Sequence, residues 1–387
     1  MDSTVESGST VVAAPRPAFR QALGRSLAEI GWAPFALVGV ALVVLVWLGR
    51  DMTFYHDEFA FLLLRDLSIN GLFAPHNEHL SATLVLLYRV LDGTVGMSTY
   101  WPYLGVTFAL HVIVSAIVYA VVRREAGSGW ALGAMAVTLM LGSGGDDILW
   151  AFQSGTIGAV AAGMGAVVVA PRRPGLAALL LTIAMATSGA SLAFFVATAF
   201  HLLLTRPRAL VWLAVPLGLY GTWYLLFATR SVAAGLGGVA DYMLTGLEAS
   251  AAGALGTTSL VVGAIALLVL AFGLGRAGRV PTVVLSLLVS GVTFFFIAGL
   301  VRAGLGADQA TAPRYVYIVA PSIIIAGAVL LARIPRPAGA AIGAAVFAVA
   351  LIGNTILLFE THDRLVSKIE CEKSMTPIAR GSAGNPC

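Results

Sequence analysis

The stretch FYHDEFAFLLLRDLSINGLFAPHNEHLS, residues 54–81, gathers three of the chain's six histidines and four of its nineteen acidic residues. Asp57 and Glu58 follow His56 where the first long apolar run ends. Neighbouring helical residues point about 100° apart, so one carboxylate can face a reacting atom while the other turns to Arg65 or to water. A carboxylate half-withdrawn from water at a bilayer rim is expected to titrate high, in the range of a general base. The competing expectation is a plain helix start, because acidic residues favour the first turn.

PHNEHLS places His76 and His79 at i, i+3 with Glu78 between them. On a helix the two imidazoles share a face, and with Glu78 and either Asp57 or Asp146 they form a candidate set for a divalent cation, Mg²⁺ or Mn²⁺ as readily as zinc. The denser H-E-x-x-H pattern is missing. The alternative is a helix start capped by Asn77. GGDDILWAFQSG (144–155) sets Asp146 and Asp147 in a Gly-flanked turn, with Trp150 and Phe152 suited to an interfacial belt or to stacking on sugar rings. Gln153, in the same segment, joins the substrate-binding candidates. TAPRYVYIVAP (311–321) brings Arg314 and Tyr315 to the mouth of an apolar run. A guanidinium there can take a phosphate through its fork of donors, and Arg230 and Arg302 are similar candidates. Snorkelling is the alternative for each.

The elements that must position these residues are membrane helices. The chain of 387 residues is 11% charged and 59% hydrophobic, with a mean hydropathy of +0.91, whereas soluble domains carry about 25% charge. Continuous apolar runs exclude an alternating transmembrane barrel. The sequence predicts an all-α polytopic fold with spans near 33–49, 101–122, 128–142, 155–170, 175–188, 190–204, 209–227, 251–273, 281–300, 315–332 and 338–358. That makes eleven, with ten or twelve also compatible. Residues 175–204 are split at TSGAS (187–191), because a single 30-residue helix would reach about 45 Å against a hydrocarbon core of about 30 Å.

Five links, RRE (123–125), PRRP (171–174), RPR (206–208), GRAGR (275–279) and ARIPRP (332–337), each hold two arginines. Placing them inside satisfies the positive-inside rule. Residues 1–28 become a disordered cytoplasmic tail and the first helix a signal anchor in a plasma (inner) membrane. The C-terminus lies outside, and fifteen of the nineteen acidic residues fall on the outer face. Arg outnumbers Lys 21 to 2, as in a GC-rich bacterial genome. The basic pI reflects the loops and is no nucleic-acid footprint.

Outer loop 50–100 is expected to hold two amphipathic helices in the interface plane, 57–69 and 78–92, the second stopped at Gly93. Residues 359–387 form an outer tail in which Cys371 and Cys387 are placed to pair in an oxidising compartment, two free thiols being the alternative.

This pattern resembles the GT-C class of membrane glycosyltransferases, whose relatives include protein O-mannosyltransferases and aminoarabinose transferases. The likeness covers about residues 30–358. It rests on YHDEFAFLLL opening a large outer loop, two interface helices, short paired mid-chain helices, and APRY (312–315) before a late span. The chain departs from the class in lacking a large outer domain, in His56 before the acidic pair, and in PHNEH. The resemblance implies transfer of a sugar from a polyprenyl-phosphate sugar to a glycan, lipid or protein acceptor on the outer face, with inversion. It implies Asp57 as base, Arg314 on the phosphate, and Glu58, His76, Glu78 and His79 as sugar or acceptor contacts. Alternatives are a transporter or flippase of lipid-linked sugars and a non-catalytic assembly partner. A transporter predicts charges inside spans and an internal repeat, whereas mid-span charges are nearly absent and the two halves do not echo each other in length or motif.

Overall fold

The computed structural model describes residues 31–228, 237–335 and 337–374. Every regular element among them is helical. In chain order they are α1 (Ala33–Gly49), α2 (Ile69–Phe73), α3 (Ala82–Val95), α4 (Trp101–Ala126), α5 (Ser128–Leu139), α6 (Gly145–Leu149), α7 (Ser154–Val169), α8 (Pro174–Met185), α9 (Ser191–Thr205), α10 (Ala214–Phe227), α11 (Val239–Ala254), α12 (Leu260–Arg276), α13 (Thr282–Arg302), α14 (Pro313–Leu331) and α15 (Ala338–Ser374). Prolines sit in the first turn of α1, α4, α8 and α14, where a missing N–H costs nothing and φ is preset.

Six helices, counted with their short 3₁₀ extensions, are long and apolar enough to cross a membrane, and four shorter apolar ones accompany them among the described residues. This is a polytopic helical membrane protein. α14 is the central rod, its residues Tyr315–Ser322 all buried against α4, α11 and α13. The periphery is apolar instead: Leu225 on α10 and Val261 and Leu268 on α12 are exposed, which suits a lipid-facing surface.

The arginine links meet in pairs. Arg206 Nη1 donates to Pro171 O (3.3 Å), and Arg333 Nη2 donates to Arg279 O (2.6 Å). RPR therefore lies beside PRRP, and ARIPRP beside GRAGR. The split at TSGAS holds: α8 ends at Met185 and α9 begins at Ser191.

Four expectations are corrected. The span 251–273 is two helices, α11 and α12, reversing at Gly256 (φ +75°). A Cβ at Gly256 would meet the backbone of α15 at Ala350 and Asn354, so the close approach requires glycine. Buried Asn354 locks the junction: Ser143 N donates to its Oδ1 (3.1 Å), and its Nδ2 donates to Gly253 O (3.0 Å). The loop helix 57–69 is instead a single π-helical turn, Ala60–Leu64, followed by the short α2. Helix 78–92 is α3, which begins at Ala82 and ends at Gly96 (φ +61°) rather than at Gly93. Lastly, residues 359–374 are no separate tail but the continuation of α15, an unbroken helix of 37 residues, about 55 Å long. Its polar end stays helical because Leu358, Leu365 and Ile369 bury along one face. The N-terminal tail 1–28, Arg230 and Cys387 lie outside the described residues, so the expected Cys371–Cys387 pairing does too.

Candidate active site

The loop between α1 and α4 is folded by its own arginines. Arg65 donates to the carbonyls of Gly71 (3.2 Å), Ala74 (2.7 Å) and Pro75 (2.9 Å), and Arg89 donates to those of Phe61 (2.9 Å) and Leu62 (2.6 Å). These fork contacts satisfy backbone groups that no regular element pairs. The loop is fastened outward as well: Trp223 Nε1 donates to Phe73 O (2.8 Å), and Thr83 N donates to Ala186 O (3.0 Å).

PHNEH is a tight reverse turn rather than a helix start. His76 and His79 exchange both backbone hydrogen bonds at 2.9 Å, and Asn77 (φ +45°) and Glu78 (φ +71°) both occupy the left-handed region. Two positive-φ central residues define a type I′ turn, which asks for Asn-Gly. Asn77 fits, whereas Glu78 carries a steric cost of about 1 kcal/mol. His56 (φ +54°) is the third non-glycine residue with positive φ among those described. Asn77 and Glu78 line one cavity and His56 adjoins its lining residue Asp57; strain of this kind clusters where geometry is over-determined for function.

That cavity has a volume of about 540 Å³. It is lined by Asp57, His76, Asn77, Glu78, His79, Trp150, Gln153, Arg302, Arg314 and Tyr315, so residues singled out from four separate sequence segments converge. Asp57 lies between two imidazoles, His56 Nε2 at 3.6 Å and His76 Nε2 at 3.9 Å. The His76 side chain foremost holds its carboxyl below the usual carboxylate range, burial opposing and the His56 and Arg314 charges assisting. The expected upward shift at Asp57 is thus overturned: the paired imidazoles outweigh desolvation. The His76 ring is fixed edge-on to Phe61 and Phe152, with centroids 4.9 and 5.5 Å away. His79 is pushed down to about 4 by burial, with Arg302 and His76 adding to the effect, so it is a neutral imidazole.

Across the cavity, Arg302 and Arg314 set their guanidinium carbons 5.9 and 5.2 Å from the Tyr315 ring centroid. Neither forms an ion pair with a carboxylate among the described residues. Phe294, Ile297, Val301 and Leu305, on and just beyond α13, supply an apolar wall.

Other candidates lie elsewhere. Glu58 is 0% exposed and does not line the cavity. Its Oε1 accepts from Tyr88 (2.7 Å) and Tyr100 (3.1 Å), and its Oε2 from the Tyr55 amide (3.1 Å). Tyr100 in turn accepts from Ala151 N (2.8 Å). Glu58 is therefore placed as a structural bolt, enclosed away from the cavity. Asp146 pairs with Arg364 of α15. Asp147 is buried, neither of its oxygens has a hydrogen-bond partner among the described residues, and burial, with the Asp146 charge adding to it, raises its pKa well above the ordinary range. His56 flanks Asp57 from outside the cavity lining. No three His, Cys, Asp or Glu side chains among the described residues converge in a metal-holding group. The candidate set Asp57, His76, Glu78 and His79 thus forms no such group among the described residues.

Sequence reasoning missed Ser81, Thr156, Thr187, Ser188 and Gly189 in the lining. TSGAS carried the signal: the glycine that breaks the helix pair also admits His79, whose imidazole a Cβ at Gly189 would strike. No protein-family model, curated protein or solved structure matches this chain.

Proposed function

We propose that this protein is a membrane glycosyltransferase of GT-C type, moving a sugar from a polyprenyl-phosphate donor to an acceptor hydroxyl on the extracytoplasmic face. One observation carries the reading: a single cavity joins the Asp57 carboxylate, beside the His76 imidazole, to two arginines that pair with no carboxylate among the described residues, beside an apolar wall.

The roles follow from charge. The acceptor oxygen attacks the anomeric carbon while the bond from that carbon to the phosphate oxygen breaks. The bonding electrons leave on the lipid phosphate, where Arg302 and Arg314 meet the growing negative charge. The acceptor's proton passes to Asp57, with His76 orienting the carboxylate. A carboxylate of low basicity suffices because the leaving phosphate needs no protonation and proton loss can lag behind bond formation. The α13 wall takes the first isoprene units, Trp150 offers a face for the sugar, and attack opposite the leaving group inverts the anomeric centre.

The test uses full-length protein in nanodiscs with radiolabelled polyprenyl-phosphate monosaccharides and an envelope extract as acceptor. Wild type should transfer label and release polyprenyl phosphate, and Asp57→Asn should be slower by about 10²-fold or more. Undiminished turnover by Asp57→Asn removes the assigned base. Donor binding without any turnover favours translocation of the lipid-linked sugar.

A further inference from the structure

We infer that the end of α15 beyond the bundle holds the Asp57 turn in place, with Glu372 as its positioning residue. The inference rests on the transferase reading for its kinetic consequence, and on contacts alone for its structural content.

The arm docks at three places. His362 Nε2 lies 3.2 Å from Asp51 Oδ2, Arg364 pairs with Asp146, and Glu372 reaches the residue before Asp57 twice. Its Oε2 accepts from the His56 amide (3.4 Å), and its Oε1 lies 3.7 Å from His56 Nδ1. Buried Leu365 and Ile369 seat the arm between these polar contacts. Trp47 of α1 stacks on His362, with centroids 6.3 Å apart.

His56 needs such a hold. Its φ of +54° is disfavoured for a side chain with a Cβ, and a residue kept there must be restrained by its surroundings. The turn has two anchors. On one side the Tyr55 amide donates to buried Glu58 (3.1 Å); on the other the His56 amide donates to Glu372. Asp57 follows both and faces the cavity. Releasing the Glu372 anchor lets His56 relax to negative φ, which swings the Asp57 carboxylate away from His76. Glu372 touches neither donor nor acceptor and acts through His56 and Asp57.

The experiment compares Glu372→Ala, Glu372→Gln, His56→Gly and the double variant His56→Gly/Glu372→Ala in full-length protein in nanodiscs. Hydrogen–deuterium exchange over residues 54–60 should quicken about tenfold in Glu372→Ala, with peptides of α4 unchanged. With a polyprenyl-phosphate sugar, kcat should fall about tenfold at nearly constant KM. Glu372→Gln, which keeps an oxygen for the His56 amide, should fall less. Because glycine adopts positive φ freely, Glu372→Ala should cost less kcat in the His56→Gly background than alone. Unchanged exchange in Glu372→Ala overturns the inference, as does an equal kcat loss in both backgrounds. Absence of turnover in wild type refutes the transferase reading separately, and the exchange result then still decides the tether.

Discussion

Glu58→Gln should remove a pH dependence from the stability of the fold. Burial pushes the Glu58 carboxyl up from an ordinary value of 4.5 to about 7, although Tyr88, Tyr55 and Tyr100 all donate to it and pull the other way. Desolvation wins because the side chain is fully enclosed. A folded-state pKa above the unfolded one means that folding favours the protonated acid. The contribution is therefore complete below about pH 4.5 and is lost as pH rises through about 7. The difference of about 2.5 units corresponds to about 3 kcal/mol over that window. Glutamine fills the same space, keeps one acceptor oxygen and does not titrate. The stability of wild type relative to Glu58→Gln should thus fall between about pH 4.5 and pH 7 and level off above that. Thermal unfolding of both proteins in one detergent reads this directly, and titration of every other group cancels because both proteins share it. A difference that stays flat across the range refutes the reasoning: Glu58 would then be ionised throughout, and the tyrosine cage would outweigh burial.

Three further outcomes follow from named contacts. Glu78→Gly converts the strained turn to the favoured Asn-Gly sequence, so thermal stability should hold or rise by up to about 1 kcal/mol while transfer falls; a parallel loss of both would make Glu78 merely structural. Asn354→Ala strands the Ser143 amide in the buried junction between α11 and α15 and should cost about 2–3 kcal/mol, read as a lowered unfolding midpoint with the helical content unchanged. Gly189→Ala drives a methyl into the His79 imidazole. It should raise KM for the donor in the transfer assay without lowering the unfolding midpoint as far as Asn354→Ala does.

The apolar runs and the break at TSGAS were legible because spans must be long and apolar, and because glycine and serine interrupt them. The cavity residues were legible for a related reason: Asp57, the histidines and Arg314 stand out against a greasy chain. What could not be read was local shape. Spacing of i, i+3 at His76 and His79 suits a helix and a four-residue turn equally, and Asn77-Glu78 lacks the glycine that announces a type I′ turn. Adjacency predicts that one carboxylate of the acidic pair is chemical and the other turns to Arg65 or to water, but it does not point to a buried tyrosine cage. Burial separates them, and burial of Glu58 depends on Tyr88 and Tyr100, which lie 30 and 42 residues away. The arm of α15 was missed although its pattern was present: Leu358, Thr361, His362, Leu365 and Ile369 recur at helical spacing, hidden by the charges between them.

The continuity of α15 has a mechanical consequence. A helix without proline or break from Ala338 to Ser374 has no joint at which to absorb a change in its inclination. Where hydrocarbon thickness and helix length disagree, a span tilts. A few degrees of tilt in the buried half moves the far end of a rod about 55 Å long by several ångströms, at the point where Glu372 meets His56. Acyl-chain length thereby becomes an input to the geometry of Asp57, and the same protein in thin and thick bilayers would present its carboxylate differently.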